Sequence, residues 1–173
     1  MMKKTIGFSA VFAVALISTI LVSEAHKGAS GIVKQRMDSM KSIASQMKTL
    51  KGLLFGKSAY DAEGVKAAAE LIKKHAAEVP SQFPKGSLNH PSEATDAVWK
   101  DFDGFKKEAS RLAGYADIMI LAADNPSDAN FKMTDSKEIS ENEELLKKGP
   151  PQAAFFAMAT TCQSCHQSYR KKK

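Results

Sequence analysis

Residues 31–54, GIVKQRMDSMKSIASQMKTLKGLL, decide the fold class. Their apolar positions (Val33, Met37, Met40, Ile43, Ala44, Met47, Leu50 and Leu54) fall at helical spacing. Val33, Met40, Met47 and Leu54 recur every seven residues, which is a seam for packing against other helices. Gly52 and Gly56, with Lys57 and Ser58, mark the break that follows. Asp61 is placed to cap a second helix through Ala67–Ile72 to about Val79, where Pro80 stops it. Residues 80–92, PSQFPKGSLNHPS, hold three Pro and one Gly and read as a loop.

A third helix is expected from about Glu93 to Ala123, with an apolar stripe of Val98, Phe102, Phe105, Leu112, Tyr115, Met119 and Ala122. Asn125-Pro126-Ser127-Asp128 ends it, and residues 129–148 read as a polar, acid-rich stretch, either a short helix or a solvated excursion. Gly149-Pro150-Pro151 introduces a last helix from about Gln152 to Tyr169. No Val/Ile/Thr alternation argues for a sheet. The predicted fold is all-α, an antiparallel four-helix bundle.

The start of the chain is different in kind. Met1-Met2-Lys3-Lys4 is basic, residues 6–22 are apolar, and Ser23-Glu24-Ala25 offers small residues at −3 and −1. That order is a secretory signal peptide; the rival is an uncleaved membrane anchor, because the run is just long enough to span. Cleavage after Ala25 leaves one domain over residues 26–173 and lowers the formal net charge from +6 to +5. The product is expected to be exported to the periplasm, with no later segment able to cross a bilayer. A basic balance in an exported protein, without an aromatic-interleaved basic stripe, does not indicate nucleic acid. It suits transient redox protein partners, whose encounter charge accelerates, as well as a merely solvated tail at Lys171-Lys172-Lys173.

The chain has only two cysteines, too few for a disulfide framework or a four-Cys zinc site. Both stand in Cys162-Gln163-Ser164-Cys165-His166, near the end of the last helix. C-x-x-C-H is the attachment signature of a c-type haem. On a helix, positions i, i+3 and i+4 share a face, so Cys162 and Cys165 add to the two vinyl groups and His166 turns to the iron. Other readings of the pair are a thioredoxin-like redox motif, half of a zinc site, or a Cys162–Cys165 disulfide in a haem-free helical export or stress protein. The first needs a βαβ context, and the second needs a second Cys pair.

The helical pattern, the position of the motif near the C-terminus and its continuation His166-Gln167-Ser168-Tyr169-Arg170 resemble the cytochrome c-prime family, the class II c-type cytochromes. The segments VKQRMDSMK, AYDAEGVKAAAEL and VWKDFDGFKKEA add to the likeness. The stretch from about Asn125 to Pro151 departs from it as an insertion between the third and fourth helices. The resemblance implies one covalent haem c and no enzymatic reaction. It implies further that Met40, four residues after Arg36, faces the iron opposite His166, as in low-spin members. An apolar residue there marks gas-binding members, so nitric oxide binding at five-coordinate iron is the alternative function. From the residues alone, Met40 reads first as a core gap-filler, and Met37 is its substitute as a ligand. Arg36 and Arg170 are candidates for the haem propionates, since a guanidinium grips a carboxylate bidentately. Tyr169 and Trp99 are expected to pack, and His75 and His90 to lie on the surface. The resemblance also implies a homodimer.

Overall fold

The computed structural model describes residues 28–132 and 142–172. The predicted signal peptide, residues 1–25, lies outside the described residues. Four long helices form an antiparallel bundle: α1 (Gly31–Phe55), α2 (Ala62–Glu78), α4 (Phe102–Ala122) and α6 (Pro151–Tyr169). Two short ones, α3 (Ala97–Lys100) and α5 (Glu143–Lys148), sit in the connections.

In α1 the heptad row Val33, Met40, Met47 and Leu54 is joined by a second row three residues on. That row is Arg36, Ile43 and Leu50, and all three are buried. An arginine thus occupies a core position of the helix. Asp61 caps α2 as expected, its Oδ1 accepting from the Gly64 N–H at 3.0 Å. The buried face of α2 is Val65, Ala68, Ala69, Ile72 and Ala76, and its small side chains let α1 and α4 pack closely against it. A turn of 3-10 helix, Val79–Gln82, then carries Pro80 into the loop.

The third helix differs from expectation. It does not run unbroken from Glu93: α3 is one turn, and the chain leaves helical geometry at Asp101 before α4 begins. The break is a helix start, because the Asp101 carboxylate accepts from the Gly104 N–H at 3.1 Å. Past α4, the connection is tied down by amides and by apolar contacts, among them Phe131 on Phe156. Asn125 Nδ2 donates to the carbonyls of Lys147 and Gly149, both at 2.8 Å. Gln152 Nε2 reaches Leu54 O at 3.0 Å and Ser127 Oγ at 2.7 Å. Within α5, Leu146 is fully buried in the main core.

The apolar interior falls into two clusters. The larger, around Leu50, Ile72, Met119 and Met158, fills the middle of the bundle. The smaller, formed by Val79, Phe83, Val98, Phe105, Ala109 and Tyr169, lies beside the end of α6. Between α1 and α6 the packing is sparse. Where the two helices do meet, Phe55 touches Phe155 and Phe156, at ring-centroid distances of 5.5 and 5.6 Å. Toward the other end of α1 they enclose a cavity.

Candidate functional site

The cavity has a volume of about 420 Å³. One wall is α1, through Arg36, Met37, Met40, Lys41 and Ala44. Another is the end of α6, through Cys165, His166, Tyr169 and Arg170. Phe83, Val98 and Phe105 form an apolar floor, and residues 91–94 close one side. Those residues are held by the chain end: Thr95 N–H donates to Tyr169 O at 2.9 Å and Lys171 N–H to Glu93 O at 2.8 Å. The loop that borders the site is thereby fastened to the last turn of the motif helix.

The structure brings five of the six predicted residues to this cavity: Arg36, Met40, Cys165, His166 and Arg170. Cys162 lies one turn earlier on α6, half-buried against the main core. The two cysteines are not joined to each other. Burial raises the pKa of Cys162, and burial, Glu108 and Cys162 together push that of Cys165 up to about 12. Two neutral thiols on one helix face are the donors that thioether formation requires. Desolvation at the wall, and then the Arg170 guanidinium, lower the pKa of His166. The lowered value favours the neutral imidazole, whose nitrogen lone pair a metal requires.

The methionines sort themselves. Met119 and Met158 are fully buried in the core, and Met47 packs against it. Met133 lies outside the described residues. Among the described residues, only Met37 and Met40 line the cavity that His166 also lines. Of those two, Met40 also packs against the Phe83–Phe105–Tyr169 cluster.

The two arginines differ in their surroundings. Arg36 is buried, with 3% of its surface exposed, so it is not a solvated surface charge. Its guanidinium lies 4.6 Å over the Phe83 ring. It donates to the Ser87 carbonyl, to Ser87 Oγ at 3.1 Å and to Gln82 O at 3.5 Å. Burial lowers its pKa, and none of these partners is a carboxylate. Arg170 is half-exposed, and its Nε donates to Glu93 Oε2 at 2.7 Å.

Three residues of the site were not picked out from sequence. Asp101 Oδ2 accepts from Tyr169 Oη at 2.7 Å, so the residue that caps α4 also holds the end of α6. Its signal is the spacing Asp101-x-x-Gly104, which repeats the recognised cap Asp61-x-x-Gly64. Glu93 had no local signal, because its partner is 77 residues away. Glu108 has one buried carboxylate oxygen with no hydrogen-bond partner and lies close enough to act electrostatically on Cys165. His90 is exposed as expected, whereas His75 is half-buried beside Glu78.

The donor set fits a covalently held haem. Two thiols and an imidazole stand at i, i+3 and i+4 on one helix, next to an apolar cavity with a thioether on the facing helix and guanidiniums at its edge. Residues 31–142 match the family described as Cytochrome C'. The cytochrome c-556 of Agrobacterium tumefaciens strain II Chrys is 35% identical over 144 residues, 83% of this chain and 100% of that protein. A nitric oxide complex of a variant cytochrome c prime from Alcaligenes xylosoxidans superposes with a TM-score of 0.60 at 25% identity, covering 82% of this chain and 94% of that one. Cytochrome c prime from Shewanella frigidimarina, at 21% identity and a TM-score of 0.63, shares the fold over 82% of this chain and 94% of its own. Sequence motif, bundle and relatives converge: the chain belongs to the cytochrome c-prime family, and haem c is its cofactor.

Proposed function

We propose that the protein is a one-electron carrier in which Cys162 and Cys165 anchor the haem and His166 and Met40 are the axial ligands. The observation that carries this reading is the meeting of Met40 on α1 with His166 on α6 at one cavity. When bound, the haem supplies a one-electron iron couple. The chain's part is to hold the ligands still. His166 is presented by a helix fixed at its last turn through Tyr169 and Asp101, and Met40 by a helix packed along two heptad rows. A neutral imidazole and an uncharged thioether bind without bringing charge into the apolar cavity. Met/His ligation raises the reduction potential of such a centre. Arg36 and Arg170 serve the propionates, the first from a buried position and the second from the rim.

No step of this function makes or breaks a bond in a substrate, so the protein is a carrier and not an enzyme. The reading includes export: residues 1–25 are removed, and the mature chain works in the periplasm with transient redox partners. No described helix is long and apolar enough to cross a membrane. A homodimer is the expected assembly.

A second reading has a specific observation behind it. The Alcaligenes xylosoxidans relative is a nitric oxide complex, and a gas site in this chain would require Met40 to leave the iron. The spectrum of haem-loaded Met40→Ala separates the two. Carriage predicts conversion from low-spin to high-spin and new carbon monoxide binding, with Met37→Ala unchanged. An unaltered Met40→Ala spectrum would overturn the ligand assignment.

A further inference from the structure

Apart from the one-turn α3, whose Lys100 pairs with Asp96, the net charge of the described helices is confined to one of them. α2 carries Lys66, Lys73 and Lys74 against Glu63, Glu70 and Glu78. α4 carries Lys106, Lys107 and Arg111 against Asp103, Glu108 and Asp117. α5 sets Lys147 and Lys148 against Glu143 and Glu144, and α6 holds no Asp, Glu, Lys or Arg. α1 breaks the balance, with Lys34, Arg36, Lys41, Lys48 and Lys51 against Asp38 alone. Immediately after α6 come Arg170, Lys171 and Lys172.

The fold brings these two basic stretches to the same cavity. Lys41 and Arg170 line it, and Lys171 Nζ donates to the carbonyl of Ser92, another lining residue, at 3.2 Å. Lys34, Lys41 and Lys48 are seven residues apart and so lie along one exposed face of α1. Lys34 is paired with Asp38 and Arg170 with Glu93, and Lys66, Lys73 and Lys106 on the other helices are likewise each held by a carboxylate, so the excess rests on Lys41, Lys48, Lys51 and Lys171.

We propose that the face made by α1 and the chain end after α6 is the docking surface for an acidic patch on a redox partner protein. The proposal rests on the electron-carrier reading above. Cations at the cavity mouth raise the local concentration of an anionic partner and orient it with the cavity toward it, which acts chiefly on the encounter rate. The observations favour a protein over a lipid surface. Among the described residues, the exposed large hydrophobics Leu71, Leu121 and Leu145 lie on α2, α4 and α5, and none of these apolar anchors, of the kind that seat a protein in a membrane, sits on the basic face.

The test is stopped-flow oxidation of reduced, haem-loaded protein by hexacyanoferrate(III), a trianion, at low and high salt. The reversal Lys41→Glu/Lys48→Glu/Lys171→Glu is compared with a control reversal, Lys74→Glu/Lys107→Glu/Lys148→Glu, which changes net charge equally on α2, α4 and α5. At low ionic strength the first should slow oxidation about tenfold and the second less than twofold, with the difference lost in high salt. Equal slowing by both sets would overturn the proposal, since net charge alone would then act. Tighter sedimentation with phosphatidylglycerol vesicles that the first set abolishes, without a rate difference, would overturn it in favour of a membrane surface. If wild-type protein exchanges no electrons with the reagent at any salt concentration, the carrier reading itself fails.

Discussion

Replacing Tyr169 with Phe isolates the bond that fastens the motif helix. Tyr169 is buried, with 8% exposure, and its ring packs edge-on to Phe105 at 5.3 Å, so the variant keeps the packing and loses one contact. That contact is the 2.7 Å hydrogen bond to Asp101 Oδ2. A hydrogen bond to a charged group contributes about 1.5–3 kcal/mol. Asp101 is exposed, so water re-solvates it in the variant and the lower figure, about 1.5 kcal/mol, applies. For a chain of this size that lowers the melting temperature by about 3–6 °C. The pH dependence gives a second readout. Burial and the Asp101 hydrogen bond push the Tyr169 pKa up to about 12, against about 10 in the unfolded chain. The folded state therefore keeps a proton that the unfolded state releases. This stabilisation is complete below about pH 10 and is lost as pH rises toward about 12. Thermal melts of haem-loaded wild type and Tyr169→Phe, followed by circular dichroism at pH 8 to 11.5, should show the wild-type advantage shrinking above about pH 10. A constant gap across that range, or no gap at neutral pH, would refute the reasoning.

Three further substitutions test the site and its surroundings. A Cβ on Gly104 would stand 2.2 Å from Asp101 Oδ2, so Gly104→Ala should displace the cap and cost about 1 kcal/mol in chemical denaturation. Gly114→Ala, in the same helix with open space around it, should instead be more stable by up to about 1 kcal/mol. Arg36→Met keeps an unbranched apolar stem but leaves the carbonyls of Ser87 and Gln82 without their donor. It should cost about 2 kcal/mol and make the 82–92 loop more susceptible to limited proteolysis.

The parts of this architecture written in local pattern were legible from sequence. α1 follows from its heptad row, α2 from Asp61 and Pro80, and α6 from Pro150-Pro151. The motif placed Cys162, Cys165 and His166 on one helix face without any tertiary information. The break at Asp101 was missed because Phe102, Phe105 and Leu112 continue the apolar stripe that Val98 begins, and periodicity does not register a capping residue between them. The chemistry of Arg36 suits a propionate, whereas its burial at a core position, held by Ser87 and Gln82, follows from a loop some fifty residues away. Leu146 looked like part of a polar excursion because its acidic and basic neighbours mask a single inward residue. Contacts across long sequence separations, Arg170 with Glu93 and Tyr169 with Asp101, leave no periodic trace at all.

The central claim is that Met40 and His166 together ligate the iron. The most direct measurement is the electron paramagnetic resonance spectrum of the ferric, haem-loaded wild-type protein at neutral pH. Ligation by both side chains predicts a low-spin signal, whereas a predominantly high-spin signal would contradict it.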